Sequence, residues 1–229
     1  MTTPTNPQTV VIQNQFYPGG LSELQIWKHY QLYKDKIIEE IGANPVLIWI
    51  FVDLNQAIIK RKLANSPFTI NRKNYDKIMT GRTVSVAVEQ KNPTDVLIVD
   101  IDRGNSVTEI QLKTAVKELL NSSIRKQQMV SDTRVISTGK GYHVYFYLGK
   151  KMDINAAKKI LYNLLKIEFG NKYLINDKNP SSSEINLDLT PTTFRGVHQV
   201  PYALCRNGLM SIDVGRNIDG FNRNKAIIK

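Results

Sequence analysis

The stretch Asp95-Val-Leu-Ile-Val-Asp-Ile-Asp102 (DVLIVDID) decides how this sequence is interpreted. Its apolar run predicts a buried β-strand, which ends in two acids, Asp100 and Asp102, with one residue between them. Because side chains alternate across a strand, we expect both carboxylates on one face of the sheet. Such a pair repels unless a cation lies nearby, and divalent metal ions are the usual partner. An isolated Asp-x-Asp at a strand end, however, more often simply meets solvent.

The segments that follow this strand predict an α+β fold. Ser106-Val-Thr-Glu109 has the form of a capping box and predicts the start of a helix. Further along the chain we predict one more helix at Asn155–Phe169. We also predict strands at Arg134–Ser137 and Tyr142–Leu148 before this helix, and at Glu184–Leu189 and Met210–Val214 after it. The order β-α-β-β-α-β suits a split βαβ sheet of ferredoxin-like type.

The preceding segments predict an α/β unit, at about residues 21–94, packed against this sheet. Residues 1–20 predict a flexible N-terminal arm, although Val10-Val-Ile12 is able to pair as an edge strand. Ser22 is a good N-cap for a helix with Gly42 as its stop, and Val46–Val52 is typical of a buried strand. A helix from about Asn71 and a strand at Thr83–Val88 complete the unit.

We therefore expect one domain over residues 21–229, with the sheet at about 95–215 and a tail after residue 215. Lysine and arginine number 31 against 20 acidic residues, a formal net charge of +11, which favours nucleic acid as partner but also fits a merely basic proteome. Candidate contacts in the first part are Lys60, Arg61, Lys62, Arg72 and Lys73. Cys205 is the sole cysteine, and no signal or membrane-span pattern is present, so we expect an intracellular protein that is neither secreted nor membrane-bound.

Two further clusters carry candidate functional residues. In Ser137-Thr-Gly-Lys-Gly-Tyr-His143, Gly139 and Gly141 would let the backbone approach an anion, while Ser137, Lys140 and His143 offer donors suited to a triphosphate. If so, Ser137 and His143 should face the same side as Asp100 and Asp102. A Gly-containing turn or a lone histidine is by itself more often structural. The other cluster is a strand ending at Leu187-Asp188, followed by Arg195, His198, Pro201-Tyr-Ala-Leu204, Arg206 and Gly208.

Taken in this order, the clusters resemble the three motifs of the archaeo-eukaryotic primase (AEP) superfamily, which includes small primase subunits and the polymerase domains of bacterial end-joining ligases. Val99-Asp-Ile-Asp102 matches the first motif, and Ser137, Lys140 and His143 match the second. Leu187-Asp188, with Pro201-Tyr-Ala-Leu204, Arg206 and Gly208, matches the third. The resemblance covers about Val46 to Val214 and is specific only as a triple.

The resemblance implies a DNA primase or polymerase, a template-directed nucleotidyltransferase with an RNA-recognition-motif-like catalytic sheet. It implies two Mg²⁺ or Mn²⁺ ions held by Asp100, Asp102 and Asp188. It also implies that the incoming NTP or dNTP is bound by Ser137, Gly139, Lys140, Gly141, His143 and Arg206. Which of Arg195, His198 and Arg206 contacts the nucleotide stays open.

The same resemblance implies single-stranded or primed DNA as the template, with a helicase, a large primase subunit or a ligase as candidate protein partner. No zinc is expected, because one cysteine and three histidines do not readily rebuild the zinc knuckle of small primase subunits. Two other hypotheses remain. One is an end-joining or repair polymerase of the same superfamily, and the other is a non-catalytic primase-like subunit that only binds nucleic acid.

Overall fold

The structure is a computed structural model, and it describes residues 10–41, 47–52, 58–64, 83–177, 181, 183–194, 196–215 and 217–229. The chain divides into two compact units. The first unit comprises Met1–Val88, Gln199–Ser211 and Arg223–Lys229, and the second comprises Glu89–His198 and Ile212–Asn222. The break after Val88 lies close to the expected one near residue 94. Residues 199–211 and 223–229, expected in the sheet part and the tail, instead belong to the first unit.

The first unit begins with a hairpin of β1 (Val10–Asn14) and β2 (Tyr17–Ser22). The side-chain oxygen of Asn14 accepts hydrogen bonds from the backbone N–H groups of Phe16 and Tyr17, which closes the turn. Ile12 and Tyr17 are buried. The predicted flexible arm is therefore wrong for residues 10–20, while the pairing of Val10–Ile12 is confirmed.

The remaining elements of this unit begin with α1 (Glu23–Ile41), β3 (Leu47–Val52), β4 (Ile58–Ala64) and β5 (Thr83–Glu89). Ser22 caps α1 as predicted, since its hydroxyl accepts from the N–H of Gln25 at 3.3 Å. β3 pairs antiparallel with both β4 and β5. Lys60, Arg61 and Lys62 lie on β4. The helix predicted from Asn71, with Arg72 and Lys73, and the stop at Gly42 fall outside the described residues.

The second unit is built on a six-stranded sheet. Its elements are β6 (Thr94–Arg103), α2 (Glu109–Asn121), β7 (Val130–Ser137), β8 (Tyr142–Met152), α3 (Ile154–Phe169), β9 (Leu174–Ile175), β10 (Ile185–Asp188) and β12 (Ile212–Asp213). A further strand, β11 (Val197–Gln199), lies between β10 and β12 in the sequence and pairs with β5. The sheet order is β12-β7-β8-β6-β10-β9. Its four principal strands, β7-β8-β6-β10, are antiparallel neighbours with α2 and α3 as crossovers. This is the predicted split βαβ arrangement.

Helices α2 and α3 pack against one face of this sheet. Alternate residues of each strand enter that core because strand side chains alternate in direction. From β6 these are Leu97, Val99 and Ile101, each at most 2% exposed. They pack with Val135, Val144, Phe146, Leu187 and helix residues such as Leu112, Leu119, Leu161 and Leu165. Within the described residues, no helix combines the length and apolarity needed to cross a membrane.

The start of α2 differs from the prediction. The capping box is formed by Thr108 and Gln111, not by Ser106 and Glu109. Thr108 Oγ1 accepts from the N–H of Gln111, and the Gln111 side chain accepts from the N–H of Thr108 at 2.8 Å. Both pairs fit the same sequence pattern. The choice falls on Thr108 because Val107, which precedes it, is buried in the core and is held in a turn by its N–H bond to the carbonyl of Gly104.

Candidate active site

The sheet face opposite the helices carries the acidic residues. Strand register sets Asp188 of β10 directly opposite Asp100 of β6, and Asp100 opposite His143 of β8. Residues paired in this way point to the same face. Asp188, Asp100 and His143, here called the polar row, therefore lie side by side on three adjacent strands. The same register confirms that residues more than 80 positions apart in the sequence meet here.

Asp102 lies on the same face as Asp100, two residues further along β6. Its partner on β10 is Asn186, which is buried. The Asn186 side chain donates to the carbonyl of Asp177 at 2.9 Å and accepts from the N–H of Asp177 at 3.1 Å. Asn186 is thus occupied in fixing the chain before β10, which leaves the acids as the metal-binding candidates of this face.

His143 is held against Asp100. Its Nε2 lies 3.3 Å from Asp100 Oδ1, and the two side chains are 8% and 21% exposed. The distance is that of an ion pair without a hydrogen bond, since Asp100 Oδ1 is buried with no hydrogen-bond partner among the described residues. The other ring nitrogen, His143 Nδ1, is also buried with no such partner. Burial lowers the pKa of His143, but the charges of Asp100, Asp102 and Asp188 outweigh it and raise the pKa above its usual value.

Asp188 is oriented by the residue two positions later. Its Oδ1 accepts a hydrogen bond from the Thr190 N–H at 2.8 Å and another from the Thr190 hydroxyl at 2.7 Å. Thr190 therefore limits the rotation of Asp188, which ends β10 beside Asp100.

The three aspartates do not form a preformed metal site. In the part of the chain that the structure describes, no three His, Cys, Asp or Glu side chains stand close enough together to hold an ion as they are. Like charges repel, so carboxylates without a cation between them are expected to stand apart. The three carboxylates nevertheless suit Mg²⁺ or Mn²⁺, because both ions prefer oxygen ligands and the three side chains lie on the same face of the sheet. In addition, Asp100 Oδ1 is buried without a hydrogen-bond partner, and a bound cation would balance its charge. The two-metal assignment stays a prediction.

The turn from Ser137 to His143 packs against the end of β6. The Thr138 N–H bonds to the Gly141 carbonyl at 3.0 Å, and the Gly141 N–H bonds to the Thr138 hydroxyl at 3.1 Å. A Cβ on Gly141 would lie 2.1 Å from the carbonyl oxygen of Ile101. Gly141 is therefore required for contact with the protein's own strand, before any approach to an anion. Gly139 is buried and Lys140 is exposed.

Ser137 does not share the face of His143. It pairs with Tyr142, whose ring lies in the helix-side core, whereas His143 pairs with Ile136. Its hydroxyl is buried and has no hydrogen-bond partner among the described residues. The expected common facing of Ser137 and His143 is thus wrong. The reason is the length of the turn, which pairs residue 137 with 142 and leaves 143 one step out of phase.

Of the three basic candidates around the third motif, the structure brings His198 to the polar row. The His198 ring meets Tyr145 edge-on at 5.7 Å, and Tyr145 is itself 6.2 Å from the His143 ring. Burial and, after it, the charge of His143 lower the pKa of His198 to about 3. Arg195 lies outside the described residues. Arg206 is an exposed residue of the first unit, at a turn closed by the bond from the Gly208 N–H to the Cys205 carbonyl.

Two residues near the row were missed by the sequence interpretation. Tyr145 continues the site face of β8, and its signal was the period-two spacing His143, Tyr145, Tyr147. Thr192 is fully buried, and its hydroxyl accepts from the Ile98 N–H at 2.6 Å and donates to the Ile98 carbonyl at 2.8 Å. It takes the place of a strand partner for β6 beyond the end of β10. Nothing local in the sequence marks that role.

A solved structure shares this architecture, whereas no protein-family model and no curated protein sequence matches the chain. The polymerase domain of Ligase D from Mycobacterium tuberculosis, solved in complex with DNA, matches with a TM-score of 0.64 and 14% identity, over 96% of this chain and 89% of that one. The AEP domain of the cyanophage S-2L primase-polymerase matches with a TM-score of 0.44 and 13% identity, over 90% of this chain and 96% of that one. The chain therefore has the α+β fold of the Ligase D polymerase domain.

Proposed function

We propose that this protein is a template-directed nucleotidyltransferase, a DNA primase or polymerase that adds NTPs or dNTPs to a nucleic-acid strand. The observation that carries the proposal is the polar row, with Asp102 on the same face, on the side of an AEP-type sheet opposite the helices. Support also comes from the net charge of +11 and from the Ligase D polymerase domain, which shares the fold and was solved with DNA.

In this proposal Asp100, Asp102 and Asp188 hold two Mg²⁺ or Mn²⁺ ions. Bound there, the ions would lower the pKa of the attacking 3′-hydroxyl and offset the charge that develops on the α-phosphate. The chain itself supplies orientation. Thr190 fixes Asp188 through two hydrogen bonds, and His143 holds Asp100 at 3.3 Å. The helix-side core keeps the three strands in register and so keeps the three carboxylates on one face of the sheet.

The triphosphate would be bound by Lys140 and His143, with His198 as the next candidate. The contact of Gly141 with Ile101 supports the role of Lys140, because it keeps the exposed lysine in a turn beside the strand end that carries Asp102. A lysine ammonium at this point would neutralise phosphate charge. Ser137 lies on the other face and is left out of this set, so its part in the family motif is not needed for the proposal.

The test is incorporation of labelled nucleotides on single-stranded and primed templates, with Mg²⁺ or Mn²⁺. Asp100→Asn should reduce incorporation by about 1,000-fold or more, because the amide cannot bind a cation as a carboxylate does. Asp95→Asn is the matched control, since Asp95 is an exposed acid at the other end of the same strand. It should incorporate like the parent. Full activity of Asp100→Asn, with Asp95→Asn also active, would contradict the proposal.

The choice of substrate separates the remaining hypotheses. A primase extends from an unprimed single strand, whereas an end-joining or repair polymerase requires primed ends or short overhangs. A non-catalytic binding subunit incorporates nothing on any of them, and its affinity for DNA should not depend on Asp100. Comparing these templates with both NTPs and dNTPs therefore resolves the class of reaction as well as the sugar preference.

A further inference from the structure

The first unit contains an aromatic cluster that the proposed reaction does not use. The rings of Tyr33 on α1 and Tyr202 stack with centroids 5.2 Å apart and an angle of 11° between their planes. The ammonium of Lys36 lies over both rings, 5.8 Å from the first centroid and 5.2 Å from the second. Both tyrosines are half-buried and Lys36 is exposed. We call Tyr33, Tyr202 and Lys36 the tyrosine stack.

Tyr202 occupies an unfavourable backbone conformation. Its φ is +68°, in the left-handed region that bulky residues rarely adopt. The conformation is held by its own backbone bonds, since the Tyr202 N–H donates to the Ser211 carbonyl at 2.8 Å and the Tyr202 carbonyl accepts from His29 Nε2 at 2.7 Å. Glycine or asparagine would fit such a position better. An aromatic side chain maintained against backbone strain points to a use for the ring itself.

Packing within the unit accounts for part of the cluster, because the His29 ring lies 4.9 Å from the Tyr33 ring, but it does not require a tyrosine at either position. Neither tyrosine hydroxyl makes a hydrogen bond with a described residue, so their polar atoms hold no loop in place. Phenylalanine or leucine would bury more of its surface favourably at a site that needed only packing. Two parallel, partly exposed rings with a cation at their rim are instead the components by which proteins hold unpaired nucleic-acid bases.

We propose that the tyrosine stack binds an unpaired base of single-stranded nucleic acid, with Lys36 contacting the adjacent phosphate. The lysine is not an obstacle, because an exposed cation–π contact is weaker than the stacking of a base on an aromatic ring. Its flexible stem lets the ammonium swing from the ring to the backbone. The site accepts any base, since every base presents a π-face. The inference concerns binding alone and does not require the proposed catalytic activity.

Anisotropy of a fluorescein-labelled oligothymidine of about 20 nucleotides tests the affinity in the full-length protein. Tyr33→Leu and Tyr202→Leu should each weaken binding about tenfold, while Tyr33→Phe and Tyr202→Phe should bind like the parent because stacking needs the ring and not the hydroxyl. Tyr162→Leu is the control, since Tyr162 is a 37%-exposed tyrosine of α3 outside the stack. Lys36→Gln should weaken binding more than Lys34→Gln, which removes the same charge from the same helix.

Because Tyr202→Leu can disturb its loop, the position of the bound DNA is measured separately, in the unmodified protein. Irradiation of a complex with 5-iodouracil-substituted DNA should crosslink the peptides that contain Tyr33 or Tyr202, as identified by mass spectrometry. Unchanged affinity of Tyr33→Leu, with crosslinks found only elsewhere, would overturn the inference. The anisotropy buffer contains no nucleotide and no divalent ion, so the binding it measures does not depend on the proposed catalytic reaction. Loss of binding in Tyr33→Leu therefore supports the stack even if no variant or parent incorporates nucleotide.

Discussion

The two faces of the six-stranded sheet differ sharply although the same strands supply both. On β6, Leu97, Val99 and Ile101 are buried among the helices, while Asp100 and Asp102 stand on the opposite face. The apolar set provides the packing energy that fixes the register, and the register in turn aligns the acids. Repulsion among carboxylates is tolerated because the other face outweighs it. Stability and chemistry are therefore carried by alternate residues of one strand, and substitution should separate them.

The largest difference between the effect on activity and the effect on stability is expected at Asp188. Asp188→Asn keeps an oxygen that can accept both hydrogen bonds from Thr190, so the turn after β10 should survive. It loses the charge needed to bind a cation, and incorporation should fall about 1,000-fold, equivalent to about 4 kcal/mol. Incorporation assays and urea unfolding measure the two effects. Retained incorporation would show that Asp188 only caps the turn, and the polar row would lose its catalytic role.

Next in size is the contrast between two neighbouring aromatic residues of β8. Phe146 is fully buried on the helix side, whereas Tyr147 is half-buried on the other face. Phe146→Ala should lower the free energy of unfolding by about 4 kcal/mol through lost burial and a cavity. Tyr147→Ala should cost less than half of that. Equal losses in denaturant unfolding would contradict the division of labour between the faces.

Gly141 links the two roles, because its turn packs on the backbone of the strand that carries the acids. Gly141→Ala forces a Cβ against the Ile101 carbonyl and should destabilise the protein by about 2–3 kcal/mol. Incorporation should fall as well, since the end of β6 must shift. Gly149→Ala, on β8 after this turn, is the control, as nothing lies within 4 Å of its added Cβ. A thermal melt of Gly141→Ala indistinguishable from that of Gly149→Ala would show that the turn yields freely.

The smallest effect concerns the pH dependence of stability that buried His29 causes. His29, in the first unit, has a pKa lowered by burial from 6.5 to about 4, although its bond to the Tyr202 carbonyl opposes the shift. As the pH falls, the unfolded chain therefore binds a proton on His29 at a higher pH than the folded protein does. The contribution of His29 to the free energy of unfolding is complete above pH 6.5 and is lost towards pH 4. Between pH 7 and pH 5 the loss should be about 2 kcal/mol. His29→Gln should remove this part of the pH dependence; identical urea-unfolding profiles for both proteins would show that His29 does not cause it.

Much of the second unit follows from its sequence. The apolar run before Asp100, the helical spacing in α3 and the position of Asp188 at a strand end predict the sheet and the candidate acids, because burial imposes its period on the residues of each element. The clustering of Asp188 with Asp100 was inferred from a resemblance rather than from local pattern, since strand pairing across more than 80 residues leaves no local mark.

The sequence did not predict those features for which nearby residues offer several equally good alternatives. Ser106 and Thr108 both begin a capping-box pattern, and only the burial of Val107 decides between them. The face of Ser137 depends on how many residues the hairpin turn absorbs, a parity that sequence does not reveal. Thr192 replaces a strand partner through a contact set by tertiary structure, and a threonine in a loop gives no sign of it.

The Tyr17 hydroxyl has a consequence for the order of folding. It donates to the Gly208 carbonyl at 2.9 Å and accepts from the Ile228 N–H at 3.1 Å, so one phenol joins all three chain segments of the first unit. Residues that far apart must close long loops before any of these bonds forms. During synthesis most of the second unit emerges as one continuous stretch, whereas the first unit must wait for Ile228. The N-terminal segment of the first unit is therefore made early but completes its packing late, after Ile228 has left the ribosome.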